Sequence, residues 1–249
     1  MKIAIIGAGA MGGALAEGFL QSRQAELMVS DPAEAVLQRF VQLGASVTSD
    51  NRVAVAEADT VIVVVKPWLV EQVLTDIDTK GKTVILVAAG ITSEQLKNWT
   101  SSDADLWLAI PNIAASLQAS MTFLVEVRNT GKTDVKALFD QVGETILCDE
   151  QHLSAGTTLA SCGIAYALRY IRAASEGGVE LGFRASEAQR IVMQTVMGAA
   201  KLLEATGKHA EQLIDQVTTP GGLTIKGLNE MEHAGFTSAV IRGLKAGAK

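Results

Sequence analysis

A chain of 249 residues, 48% hydrophobic and 19% charged, has enough apolar surface for a large core and enough length for two domains. Its 21 basic and 27 acidic side chains give a formal charge of −6 with no block of like charges, which argues against nucleic acid or a membrane as partner and for a small molecule. Cys148 and Cys162 have neither metal-ligand nor CxxC spacing, so both are expected to be free thiols of a cytoplasmic protein.

Lys2–Ile6 is a short apolar run rich in isoleucine, the pattern of a parallel strand covered on both faces. It feeds Gly7-Ala8-Gly9-Ala10-Met11-Gly12, a GxGxxG sequence. Gly7 permits the tight turn, Gly9 lets the backbone approach a pyrophosphate, and Gly12 lets the next helix, at about 11–21, pack on the strand. Five glycines and Glu17 interrupt residues 2–20, so the segment reads as strand, turn and helix and not as a signal peptide. A second strand, Glu26–Ser30, ends at Asp31, where an acidic residue ordinarily accepts a hydrogen bond from a ribose hydroxyl. Strand, glycine turn, helix and acid together point to dinucleotide binding, with Gly7, Gly9, Ala10, Met11, Gly12 and Asp31 as cofactor contacts.

The alternation continues with a helix at 33–43, a strand at 45–48, a short helix at 53–57 and a buried strand at 60–65, whose apolar run is far too short to span a bilayer. Lys66-Pro67 follows at the carboxyl end of that strand, where ligands of open parallel sheets bind. After a strand at 83–87, Ala88-Ala89-Gly90 leaves space for a nicotinamide, and Thr92 with Gln95 forms a capping box. Asp105–Ile110 ends in Pro111-Asn112, where Asn112 is either a turn residue or a polar ligand contact. A strand at 121–127, a helix at 133–141 and a strand at 145–147 complete the sheet. The fold class is α/β: a Rossmann-type doubly wound dinucleotide-binding domain over 1–150, then an all-α domain over 151–249 for substrate binding and dimerisation.

Helical periodicity dominates the second part, at about 153–176, 186–205, 210–217, 223–234 and 238–246, with Ser186 and Gln189 as a capping box and Gly207 and Gly235 as stops. Residues 191–203 are apolar nearly all round, which predicts that a second subunit packs on them. Thr219-Pro220-Gly221-Gly222-Leu223-Thr224 combines a Pro-Gly turn with a helix N-terminus. The N–H groups of Gly222, Leu223 and Thr224, flanked by the Thr219 and Thr224 hydroxyls, suit a carboxylate or phosphate. The alternative is an ordinary helix entry with a threonine cap. Substrate is expected between the helical domain and the carboxyl edge of the sheet. The three histidines, His152, His209 and His233, fall in no nucleophile or metal pattern and read as surface residues, so no metal is expected.

These motifs together resemble the pyrroline-5-carboxylate reductases over essentially the whole chain. The resemblance is carried by Gly7 to Gly13, Asp50-Asn51, Val65-Lys66-Pro67, Ala88-Ala89-Gly90, Ile110-Pro111-Asn112 through Met121-Thr122, Gln194-Thr195 with Gly198, and above all the segment from Thr219 to Thr224. It implies reduction of a cyclic imine to L-proline by NADH or NADPH in a homodimer or higher homo-oligomer. Asn51, Lys66, Pro67, Ala88, Ala89 and Gly90 are then cofactor contacts, and Thr219, Gly221, Gly222, Leu223 and Asn112 substrate contacts. In the family the substrate carboxylate rests on backbone amides and a hydroxyl, corresponding here to Thr219, Gly222 and Leu223, while a threonine at Thr224 meets the imine nitrogen. The chain departs from the family at Ala160-Ser161-Cys162-Gly163-Ile164-Ala165-Tyr166, where Ser-Gly-Ser-Gly-Pro-Ala-Tyr is usual, at Thr219 for a serine, and at Ile214 for a lysine.

Two rivals follow from the same residues. A β-hydroxyacid dehydrogenase shares the layout, and such enzymes resemble one another in carrying a general-acid lysine on the first long helix; residues 153–176 contain none, and Lys226 with Asn229 lies elsewhere. A divergent imine reductase or a nucleotide-binding regulatory protein without turnover accords with the altered 160–166 run. For the cofactor, Asp31 favours NADH and repels a 2′-phosphate, whereas most members of the resembling family use NADPH. Arg39 and Arg52 are the cations within range of such a phosphate, and the balance falls slightly towards NADH.

Overall fold

In a strand successive side chains leave opposite faces, so a strand apolar at every position needs cover on both sides. Along β1 (Lys2–Ile6), Ile3 and Ile5 enter one apolar cluster while Ala4 and Ile6 enter another. The computed structural model describes residues 1–248, and β1 lies inside an eight-stranded sheet of order β3-β2-β1-β4-β5-β6-β7-β8. The other strands are β2 (Glu26–Ser30), β3 (Ser46–Thr48), β4 (Thr60–Val63), β5 (Thr83–Leu86), β6 (Asp105–Ile110), β7 (Ser120–Arg128) and β8 (Gly143–Leu147). Neighbours pair in parallel except β6 and β7, which pair antiparallel.

One face is covered by α1 (Ala10–Ser22) and α2 (Glu34–Gln42), which bring Leu15, Phe19 and Phe40 onto Ile3 and Ile5. The other is covered by α3 (Asn51–Ala56), α4 (Val70–Asp76) and α5 (Ser93–Asn98), through Val55, Leu74 and Leu96. Phe139 of α6 (Val135–Phe139) meets Phe19 edge to face at 5.9 Å between ring centroids. Each such fully buried side chain stabilises the fold by about 1.5–3 kcal/mol. The order of strand addition reverses once, β2 lying on one side of β1 and β4 on the other, which puts a switch point at the carboxyl ends of β1 and β4.

The capping box of Thr92 with Gln95 is present, Thr92 Oγ1 accepting from the Gln95 N–H at 3.2 Å. Four local expectations change. Strand β4 stops at Val63; the Val64 N–H still donates to the Ile6 carbonyl at 2.8 Å, and Val64 and Val65 then lie against Gly7. Helix α4 was absent from the sequence reading, although Val70, Val73, Leu74 and Ile77 recur at helical spacing. The helix expected at 153–176 is helical throughout and runs on to Glu180, but it contains a π turn (Thr157–Ser161) that divides α7 (Leu153–Gly156) from α8 (Cys162–Glu180). The box expected at Ser186 and Gln189 is replaced by a single contact at the start of the helix, Glu187 Oε2 accepting from the Arg184 N–H at 3.3 Å, since an arginine side chain has no acceptor to return.

Met1–Cys162 with Ala248 form one compact unit and Gly163–Gly247 a second. The first unit takes in α7 and the π turn, where Gly156 packs against the Phe123 ring so closely that an added Cβ would lie 2.8 Å from it. The second unit consists of most of α8, then α9 (Ala185–Thr206), α10 (Ala210–Gln216), α11 (Leu223–His233) and α12 (Phe236–Gly247). Among its described residues only Ala188 is fully buried, whereas Ile191, Met193, Met197, Leu202 and Leu203 of α9 are exposed. Helices that bury so little apolar surface within their own unit need external cover.

Candidate active site

The glycine turn after β1 has the geometry its spacing predicts. Gly7 has φ +90°, and a Cβ there would lie 2.4 Å from the Val64 carbonyl oxygen. At Gly12 a Cβ would lie 1.9 Å from the Gly7 carbonyl oxygen, so α1 is seated on the turn as only glycine permits. Gly9 differs: it precedes α1 with no side-chain cap, and a Cβ there meets nothing within 4 Å. The space over Gly9 and the uncapped N-terminus of the 13-residue α1 fit the pyrophosphate of a dinucleotide, on Gly9, Ala10 and Met11.

Asp31 leaves the carboxyl end of β2 and ties this region together. Its Oδ2 accepts from the Ala8 N–H at 2.8 Å and its Oδ1 from the Ala33 N–H at 2.9 Å. Two lone-pair directions of the carboxylate remain for a ribose hydroxyl. Beside it a cavity of about 490 Å³ opens between the ends of β1 and β2 and helix α4, lined among others by Gly7, Ser30, Asn51, Leu69, Gln72 and Asp76. Asn51 begins α3 and accepts from Ser30 Oγ at 2.8 Å. The wall supplied by Leu69, Gln72 and Asp76 was missed in the sequence because α4 was; its apolar repeat was the available signal.

Both arginines considered for a 2′-phosphate are engaged elsewhere. Arg39 pairs with Glu17 across α1 and α2. Arg52 donates from Nε to the Asp76 carbonyl at 3.0 Å and pairs through Nη2 with the Asp76 carboxylate. Lys66 sits two residues beyond Val64, exposed, its ammonium without a hydrogen-bonding or ion-pair partner among the described residues, and Pro67 opens a 3₁₀ turn (Pro67–Leu69) after it. Beyond β5, Ala88 is half-buried while Ala89 and Gly90 are exposed, Gly90 at φ +78°.

Asn112 is 4% exposed; Oδ1 accepts from the Ala114 N–H at 3.0 Å, capping a 3₁₀ turn (Ile113–Leu117), and Nδ2 donates to the Ala160 carbonyl at 3.3 Å. The π turn that bears Ala160 belongs to the same buried network, so the turn role expected of Asn112 is present.

In the second unit Thr219 to Gly222 form a turn: the Gly222 N–H donates to the Thr219 carbonyl at 2.9 Å, with Pro220 in the first central position and Gly221 at φ +70° in the second. This is a type II turn, which requires glycine or asparagine at the second central position. The Gly222 N–H, expected among the anion donors, is taken by the turn. The donors at the mouth of α11 are therefore Leu223 and Thr224, and no side chain caps them. Thr219 Oγ1 lies 2.5 Å from where a Gly222 Cβ would stand, so its hydroxyl faces the same mouth. Thr219, Leu223 and Thr224 are exposed, and neither threonine hydroxyl has a hydrogen-bond partner among the described residues. An anion at such a terminus gains about 0.3–1 kcal/mol from the helix field, and more when partly enclosed.

The thiol of Cys148 is pushed up, first by burial and then by the charge of Asp149. Both cysteines are free, the three histidines are exposed, and among the described residues no three of histidine, cysteine, aspartate or glutamate gather as metal ligands would.

Comparison with known proteins matches residues 150–249 to the family model for pyrroline-5-carboxylate reductase dimerisation and residues 2–90 to that for NADP oxidoreductase, coenzyme F420-dependent. Pyrroline-5-carboxylate reductase 1 of Dictyostelium discoideum is 35% identical over 97% of this chain, which spans about half, 48%, of that longer protein. Pyrroline-5-carboxylate reductase of Methanosarcina acetivorans is 34% identical over 97% of this chain and 94% of its own length. The crystal structure of 1-pyrroline-5-carboxylate reductase from Streptococcus pyogenes superimposes with a TM-score of 0.90 at 31% identity, covering 100% of this chain and 96% of that one.

Proposed function

The chain belongs to the pyrroline-5-carboxylate reductase family, and on that premise we propose that it reduces 1-pyrroline-5-carboxylate to L-proline with NADH or NADPH, the last step of proline biosynthesis. The observation that carries the residue-level reading is the mouth of α11, where two free amides and the unpartnered Thr219 hydroxyl stand beside a glycine turn, with Thr224, also unpartnered, in the first turn of the helix.

The reduced nicotinamide, when bound, supplies a hydride to the ring carbon of the C=N bond. The residues' part is positioning, since a protonated cyclic imine is already electrophilic and orientation lowers the barrier most. The Leu223 and Thr224 amides hold the carboxylate, with the Thr219 hydroxyl as a third donor. The Thr224 hydroxyl meets the imine nitrogen and fixes which face of the ring is presented. Gly7, Gly9, Ala10, Met11 and Gly12 hold the pyrophosphate, and Asp31, Asn51, Lys66 and Pro67 border the dinucleotide. Ala88, Ala89 and Gly90, lacking bulk, leave room for the nicotinamide. In this division of labour residues 1–150 bind the dinucleotide and 151–249 bind substrate and dimerise, and the exposed apolar side of α9 supports the second role.

No described helix is long and apolar enough to cross a membrane. The two free thiols support placement in the cytoplasm. The test is incubation of the purified protein with pyrroline-5-carboxylate and each reduced cofactor, following loss of the reduced nicotinamide and formation of proline. Proline formation is expected; a folded protein that binds the dinucleotide and yields none is instead a nucleotide-binding protein without turnover.

A further inference from the structure

Which of the two reduced cofactors the chain prefers is decided where the second ribose carbon of the adenosine meets the protein, at the carboxyl end of β2. The fixed charges there are nearly all negative. Asp31 leaves β2, Glu34 opens α2, Asp50 caps α3, and Asp76 is the only charged residue lining the adjoining cavity. Lys66, unpaired, leaves β4 and not β2. The one arginine at this corner is Arg52, next to the cavity-lining Asn51, and its guanidinium is fastened to Asp76 through both Nε and Nη2.

From this arrangement we propose that Asp76 acts as a latch on Arg52, withdrawing the cation that a 2′-phosphate requires, and that with Asp31 it sets the chain to prefer NADH. The inference rests on the dinucleotide reading of the glycine turn. A 2′-phosphate entering this corner meets the Asp31 carboxylate, which has no ion-pair partner among the described residues, beside an Asp76 carboxylate that already engages Arg52, whereas a 2′-hydroxyl donates to Asp31. The guanidinium suits a phosphate well, by forked donation of parallel N–H groups, but both donors are already engaged, Nε by the Asp76 carbonyl and Nη2 by the Asp76 carboxylate. Asp31 cannot swing aside cheaply, since both its oxygens hold backbone N–H groups, one on the glycine turn and one at the entry to α2. Asp76 ends α4, where a negative charge gains nothing from the helix field, so neutralising it removes no helix-capping interaction.

The test is equilibrium binding of NADH and NADPH, read by reduced-nicotinamide fluorescence, for the natural chain, Asp76→Asn, Asp76→Ala, Arg52→Ala and the Arg52→Ala/Asp76→Asn pair. The natural chain is expected to bind NADH about tenfold or more tightly than NADPH, and either Asp76 change to shift the ratio towards NADPH by about tenfold, one charge-assisted contact's worth. Adding Arg52→Ala should cancel that shift, while Arg52→Ala alone should leave the ratio as it was. A natural chain that prefers NADPH, an Arg52→Ala change that selectively weakens NADPH, or a ratio indifferent to both Asp76 changes overturns the latch. Binding needs no turnover, so these outcomes stand whether or not proline is formed; proline formation with either cofactor tests the activity by itself.

Discussion

Thr224 separates catalysis from folding more cleanly than any other position. Its side chain is exposed and its hydroxyl has no partner among the described residues, so removing it breaks no internal hydrogen bond. It stands in the first turn of α11, where alanine is the better helix former by roughly half a kcal/mol. Thr224→Ala should therefore leave the melting temperature unchanged or slightly raised. Catalysis should respond differently: loss of an orienting contact of about 1.4–4 kcal/mol lowers kcat/KM by roughly 10- to 1000-fold. Thr224→Val keeps the shape and should be as slow as alanine; Thr224→Ser keeps the hydroxyl and should restore most of the rate. Steady-state kinetics with pyrroline-5-carboxylate, beside thermal melts of the four proteins, read both sides. A folded Thr224→Val protein with the natural kcat/KM would refute the role of the hydroxyl.

Two further outcomes follow from the glycines and from α9. Gly12→Ala places a Cβ 1.9 Å from a backbone oxygen that cannot yield, so it should lose about 1–3 kcal/mol of stability together with dinucleotide binding. Gly9→Ala meets nothing in the protein and should keep the melting temperature while still losing dinucleotide binding; retained binding would show that the pyrophosphate does not approach Gly9. The exposed Ile191, Met193 and Met197 should lie in a subunit interface, giving at least a dimer by analytical ultracentrifugation at micromolar concentration. Met197→Glu should weaken that assembly, and a natural chain that sediments as a monomer would remove the interface.

Much of this was legible in the residues because its causes are local. Ile3 and Ile5 against Ala4 and Ile6 announce a strand covered twice, and the GxGxxG spacing announces a turn in which Gly7 and Gly12 each have a separate steric reason while Gly9 leaves open space. Pro220 and Gly221 fix a type II turn from two adjacent side chains, and the capping box of Thr92 with Gln95 closes within four residues. The tertiary structure decided what depends on partners distant in sequence. Asn112 became a buried brace because Ala160, 48 residues on, presents a carbonyl to it. Arg52, an available phosphate reader by sequence, is held by Asp76, 24 residues on, on a helix the reading had passed over. The physical reason is the same in both cases: backbone conformation is set by neighbours in the chain, whereas the partner of a hydrogen bond or charge is set by whatever the fold brings within about 3 Å of it.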